Sequence, residues 1–297
     1  MKATPRYPVF IPTRGRVDNQ VTAKMFASCG VPFQLVVEAN EEEAHAKNWG
    51  KHRVLVLPKS KQGLVYSRNW IKDFSTAEGH ARHWQFDDDV RRMVRLHKGR
   101  RITCPANVSL AAAEDFVDRY ENVAIASFNS WFFVPATGGT SKGCRWPPFY
   151  LNLRCYTDFL ISNSLPNRWR GHYNEDTDMS LQVLADGHCT ILFNAFLIDT
   201  PATMTVGGGQ MASPSGSYQG DGRLRMAREL ERRWPGVVTT ERRFHRPQHM
   251  IRDNWRKFNT PLQLRPDAAA VKDYAMKLEV VSLIKSKRLQ SFVEENT

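Results

Sequence analysis

Over roughly its first third the chain alternates short apolar runs with stretches of helical periodicity, and this rhythm constrains the fold more than any other feature. Residues 7–12, 33–38 and 53–58 read as buried strands, while residues 18–29, 41–49 and 64–74 read as helices, the first of them stopped by Gly30 and Pro32. Such alternation predicts a parallel sheet covered by helices, with ligands bound at the carboxyl ends of the strands. Arg14, Glu38 and the run Asp87, Asp88, Asp89 stand at those ends.

The aspartate triplet closes the apolar run that begins at Trp84. Adjacent carboxylates repel and Asp is depleted in strands, so the triplet predicts a divalent cation, or a ligand carrying one, at this point. Hard cations such as Mg2+ or Mn2+ take carboxylate oxygens and leave positions open for phosphates. The other reading is an N-cap cluster opening a helix over residues 90–95.

Composition limits the classes that remain. The 297 residues are 41% hydrophobic, enough for one large domain or two modest ones, and Lys plus Arg outnumber Asp plus Glu by 42 to 30. The resulting formal charge of +12 attracts polyanions, nucleic acid first among them. Five scattered cysteines without a Cys-x-x-Cys pair argue against a disulfide framework or a zinc module and suit a reducing cytoplasm. No apolar run has the length of a signal peptide core or a membrane span, so the expectation is a soluble protein with no membrane partner.

The rest of the chain is less regular. Residues 107–120 and 179–184 read as helices, and residues 123–128, 149–156 and 189–198 as strands. Residues 136–143 form a Gly/Thr/Ser-rich loop, residues 206–222 a Gly/Ser-rich one, residues 221–234 a basic amphipathic helix, and residues 267–290 a helix with lysines on its exposed face. We expect a catalytic domain over 1–205, with 206–297 a flexible loop and a basic extension packed on it. The arginines of that extension, Arg223 to Arg256, would clamp a DNA backbone.

In order along the chain, Pro12-Thr13-Arg14, Glu38, the segment Gly63 to Asn69, Asp87-Asp88-Asp89 and Asn174-Glu175-Asp176 together resemble a GT-A-type glycosyltransferase. That resemblance implies an α/β fold, GT-A-like or Rossmann-like, with a mixed, mostly parallel sheet flanked by helices and followed here by a basic helical C-terminal extension. It implies that Thr13, Arg14, Glu38, Arg68, Asp87 and Asp88 contact a nucleotide-sugar, a UDP-sugar, and that Asp87 and Asp89 face the metal. A C-terminal histidine completes the metal shell in many such enzymes; His245 and His249 are the candidates, with His249 taken. Asp176 becomes the base for the acceptor hydroxyl and Glu175 its reserve, against the alternative that these acids cap a helix.

Within that fold, the opening Pro8 to Arg16 and the basic balance are similar to the phage TET-associated glycosyltransferases. This resemblance implies a hydroxyl on 5-hydroxymethylcytosine in DNA as the acceptor, and the cytoplasm of a phage-infected bacterium as the setting. Arg145, Trp146 and Tyr150, and Arg168, Trp169 and Arg170, interleave cations with aromatics as a splayed base and its phosphates require. The alternative is that the aromatics are core and the arginines solvated. A metal-dependent nuclease, a nucleotidyltransferase and a non-enzymatic DNA-binding protein are the competing functions. The sequence leaves the oligomeric state open.

Overall fold

The computed structural model describes residues 4–136, 146–201, 222–243 and 245–268. The predicted loops over 136–143 and 206–222 and the helix over 267–290 lie largely outside the described residues, as does Arg145. The chain runs β1 (Val9–Pro12), α1 (Val21–Cys29), β2 (Gln34–Val37), α2 (Glu42–Trp49), β3 (Val54–Val56), α3 (Leu64–Ala77) and β4 (Arg82–Phe86). It continues with β5 (Arg92–His97), β6 (Arg100–Cys104), α4 (Ala106–Val117), β7 (Val123–Ser130), β8 (Phe149–Leu151), β9 (Asp158–Ser162), α5 (Glu175–Ala185) and β10 (Cys189–Asp199). Then come α6 (Gly222–Arg233), β11 (Thr239–Arg243), β12 (Arg246–Met250) and a 3-10 segment, Arg252–Phe258.

Ten strands make one mixed α/β sheet in the order β3-β2-β1-β4-β9-β7-β10-β5-β6, with β8 also on β10. The first four run parallel, which is what the early strand and helix alternation predicts. Strand β9 enters antiparallel between β4 and β7, and so brings the start of a late strand against the end of β4. Trp84 and Phe86 on β4 are fully buried; Trp84 stacks on Phe128 of β7 at 5.4 Å, and Phe26 of α1 packs edge-on to Phe86 at 5.0 Å.

Two expectations and one alternative reading change. Residues 90–95 enter strand β5 rather than a helix, so the triplet caps nothing. The reason lies downstream: Lys98 and Gly99 both have positive φ, 45° and 75°, the geometry of a tight two-residue hairpin, and they pair β5 with β6. The strand expected over 149–156 stops at Leu151, because Asn152 turns left-handed and its amide donates to the Thr190 carbonyl. The C-terminal extension is only partly helical. After α6 it folds into the β11–β12 hairpin, and Leu230, Val238 and Ile251 pack with Leu181 of α5.

Candidate active site

Four segments meet at the carboxyl end of β4. Asp87 is held by its backbone: its amide donates to the Thr157 carbonyl at 3.0 Å, and its carbonyl accepts from the Thr22 hydroxyl at 2.6 Å. The same hydroxyl accepts from the Val90 amide at 2.8 Å, so one buried threonine of α1 grips both flanks of the triplet. Its three side chains then diverge.

Asp87 takes a hydrogen bond from Arg68 at 2.9 Å. Arg68, on α3, is 2% exposed, and its guanidinium lies 4.7 Å from the Phe159 ring and 4.9 Å from the Trp169 ring. Glu175 stands 4.0 Å from its Nε, which makes no hydrogen bond. Desolvation is the main cause that raises the Asp87 carboxyl to about 7; Arg68 opposes it, and Asp89, Asp88 and Glu175 add to it. Burial likewise raises Glu175, with Asp176 adding repulsion and Arg68 opposing. Asp87 still keeps an open side, being 36% exposed.

Asp88 turns the other way, toward β1. The Thr13 hydroxyl and the Arg16 guanidinium both donate to it, and Gln20 ties Thr13 and the Arg16 carbonyl together at 2.8 and 2.9 Å. Burial raises Asp88 and Asp89 above the usual carboxylate range while Arg16 pulls both down. Asp89 lies 3.6 Å from Arg16 and is partly exposed. At the end of β2, buried Glu38 accepts from the Lys61 amide at 2.7 Å and lies 3.7 Å from half-exposed Arg14.

Asp176 begins α5 beside Glu175. Its Oδ1 accepts from the Thr177 amide at 2.6 Å, and its Oδ2 is 4.0 Å from Arg154. His249 of β12 joins Asp176 and Arg154: burial, with Arg154 adding and Asp176 opposing, pushes its pKa down to about 4, so the ring is neutral. His249 is thus on the Asp176 side of the site. Among the described residues no three His, Cys, Asp or Glu side chains are gathered as a metal-holding group, so His249 does not form one with Asp87 and Asp89.

The structure therefore unites Thr13, Arg14, Glu38, Arg68, Asp87, Asp88, Asp89, Glu175 and Asp176 around one sheet edge, and it corrects several roles. Arg68 is buried beneath the triplet and positions Asp87, rather than standing open to a nucleotide. Asp88 is occupied internally by Thr13 and Arg16. Trp169 is core, 2% exposed and packed edge-on to Phe159 at 4.7 Å, so it offers no face to a base. Arg168 pairs with Asp73 through both guanidinium ends, and Arg170 pairs with buried Asp178 at 2.7 Å. Trp146 bonds the Pro135 carbonyl at 3.0 Å and packs with Trp131 beside Val94 and Leu197, and Tyr150 is half-buried on β8.

Sequence reasoning missed Arg16, Arg154 and Asp158. Arg16 had a local signal, the short Arg-Gly-Arg loop after β1. Asp158 had none. It starts β9, is fully buried, and accepts from the Phe128 amide at 3.0 Å; burial holds it well above the usual carboxylate range, and nearby Asp87 adds to the rise.

The sheet thus carries an acidic triplet at the carboxyl end of β4, with the acidic pair Glu175 and Asp176 at the start of α5 near it. The family model of the TET-associated glycosyltransferases matches residues 7–209, and the chain belongs to that family. Among solved structures it is similar to mannose-1-phosphate geranyltransferase from Thermus thermophilus, at 14% identity and a TM-score of 0.32. That similarity covers 67% of this chain, which spans 58% of the other. A comparison with curated proteins finds no match. Among the described residues no helix is long and apolar enough to cross a membrane.

Proposed function

We propose that the protein moves a sugar from a nucleotide-sugar donor, a UDP-sugar, to the hydroxyl of 5-hydroxymethylcytosine in DNA. Family membership supports the transfer of a sugar, and the charge of +12 supports a polyanionic acceptor. The observation that carries the reading is the meeting of Asp87 and Glu175 over buried Arg68 at the carboxyl end of β4, with Asp176 next in line.

The donor's nucleoside lies along Thr13, Arg14 and Glu38, where Arg14 is the accessible guanidinium. Asp87 and Asp89 would hold a divalent cation, Mn2+ or Mg2+; they suit one that takes a carboxylate or two and completes its shell with donor phosphates. The observation behind that fit is a carboxylate lifted to about 7 by burial, with repulsion from Asp89, Asp88 and Glu175 adding to the rise, since a cation there relieves both costs. When bound, the cation neutralises charge gathering on the leaving diphosphate.

Asp176 takes the proton of the acceptor hydroxyl as its oxygen bonds to the anomeric carbon. The bond from that carbon to the diphosphate breaks, and the nucleoside diphosphate leaves with the electron pair. Glu175, buried and 4.0 Å from Arg68, faces the guanidinium beneath the triplet and is the reserve to Asp176. Arg154 next to Asp176 orients the carboxylate.

The test is release of UDP. A panel of UDP-sugars is incubated with the protein, Mn2+ and DNA that carries either 5-hydroxymethylcytosine or cytosine. Release that rises only with the modified DNA supports the proposal; equal release with both DNAs removes the acceptor from it.

A further inference from the structure

A row of aromatic rings outside the triplet is linked to Asp176 through Arg154. Phe132 and Phe133, in the turn that follows β7, are 79% and 56% exposed, against burial for most other large apolar side chains described. They are not on a loose loop. The turn is pinned from both sides: the Trp131 amide donates to the Ile198 carbonyl at 3.0 Å, and the Phe133 amide to the Ser130 carbonyl at 3.0 Å. Arg101 donates to the carbonyls of Trp131 and Val134, and Val134 is fully buried. A backbone this well bonded holds the two rings out in water, where apolar surface is costly unless something covers it.

The surroundings select what covers them. Arg92 and Arg101 stand 4.6 and 5.1 Å from the centre of the Trp131 ring, and Arg154 stands 5.0 Å from that of Tyr156. The rings run in sequence: Phe132 meets Phe133 edge-on at 5.4 Å, Phe133 meets Tyr156 edge-on at 6.2 Å, and Arg154 bridges from Tyr156 to Asp176. Tyr156 is itself fixed, since its hydroxyl donates to Asn129 and accepts from the Ser130 amide at 3.1 Å. Aromatic faces with guanidinium groups set between them suit a nucleic acid strand, whose bases stack on the rings while its phosphates meet the cations. Arg101 is spent on the turn's carbonyls and Arg92 pairs with Asp199 at 2.9 Å, but Arg92 and Arg154 keep exposed guanidinium surface that an apolar peptide would not use.

We propose that Phe132 and Phe133 form a stacking platform for a nucleobase of the acceptor strand and that Tyr156 and Arg154 lead the acceptor from it to Asp176. This rests on the acceptor in the proposed function being a polynucleotide, and it assigns that acceptor to residues other than the tryptophan and arginine clusters the sequence suggested.

The experiment uses a short DNA strand with 2-aminopurine at one position, whose fluorescence falls when the base stacks, together with the full chain and its Phe132→Ala/Phe133→Ala variant. The expected result is quenching by the wild type and, in the variant, loss of quenching with affinity weakened about tenfold or more. Phe132→Tyr/Phe133→Tyr keeps both rings and retains quenching, which separates stacking from misfolding. Equal quenching and affinity in the alanine variant overturns the inference, as does absence of quenching in the wild type. The same proteins are assayed for sugar transfer to a 5-hydroxymethylcytosine strand. Transfer that survives the alanine pair unchanged sinks the platform and spares the proposed function. Quenching that depends on the phenylalanines, without transfer by the wild type, keeps the platform and sinks the acceptor.

Discussion

Arg68 lies 2.9 Å from Asp87, and its guanidinium is packed against both the Phe159 and Trp169 rings, so a cation from α3 is fixed directly beneath the acidic triplet. The arrangement fixes where Asp87 points before any ligand arrives. It also joins β9, β4 and the segment that precedes α5 around one charge.

Replacing that guanidinium should therefore be costly. Removing one partner of a fully buried ion pair costs roughly 3–5 kcal/mol, and the open side of Asp87 lowers this to about 2 kcal/mol for Arg68→Ala. Arg68→Lys should recover only part, because an ammonium lacks the planar face that stacks on Phe159 and Trp169. Urea unfolding measures both. A loss below about 0.5 kcal/mol in the alanine variant would show that the pair is incidental.

Thr22 is the second support. Thr22→Val keeps the shape but leaves the Asp87 carbonyl and the Val90 amide without their partner, at about 1–3 kcal/mol each. Thr22→Ser keeps both bonds and should stay near wild type in stability and in donor affinity, as read by calorimetry. Equal behaviour of the two variants would contradict the assignment.

For the cation, Asp89→Ala is the informative change, since Asp89 is partly exposed and less committed to the protein than Asp88. We predict that Mn2+-dependent donor binding is lost in this variant, that EDTA does the same to the wild type, and that EDTA has no further effect on the variant. Normal turnover by Asp89→Ala would remove the metal role from that side chain.

Stability should carry the mark of His83. This fully buried ring lies between Asn163 and Gln85, and burial, with Lys72 and His80 adding and the Asn163 bond opposing, holds its pKa down to about 3. The folded state thus refuses a proton that the unfolded state accepts below about 6.5, so the unfolded state binds more protons between those values and stability falls as pH drops. From pH 7 to pH 5 the loss from this group is about 2 kcal/mol. Asp87 and Asp158, raised in the fold, pull the other way, so the comparison is with His83→Gln: the gap between wild type and variant should narrow by that amount at pH 5. A gap that does not move with pH would contradict it.

The half of the site made by the early strands was legible because its residues are local. Thr13, Arg14, Glu38 and the triplet each follow an apolar run directly, and a parallel sheet brings such positions to one edge. What was not legible depends on contacts between distant segments. Trp169, set between two arginines, reads like a base-stacking residue, yet the packing of α3 against the segment before α5 buries it. Asp158 carries no local mark, and only the antiparallel insertion of β9 brings it beside Asp87. Residues 90–95 mix apolar and basic side chains in a way that suits either a helix or a strand, and the Lys98-Gly99 turn decides it. His249 lies on a hairpin that a basic tract does not announce.

The most direct measurement is mass spectrometry of the nucleosides from 5-hydroxymethylcytosine DNA treated with donor, Mn2+ and either the wild type or Asp176→Asn. The account predicts a mass gain of one sugar, confined to the modified nucleoside, with the wild type, and a drop of about 10²-fold or more in its rate with Asp176→Asn while donor binding persists. A modified nucleoside of unchanged mass after wild-type treatment, with the donor bound, would contradict transfer to this acceptor; an undiminished rate in the variant would remove Asp176 as the base.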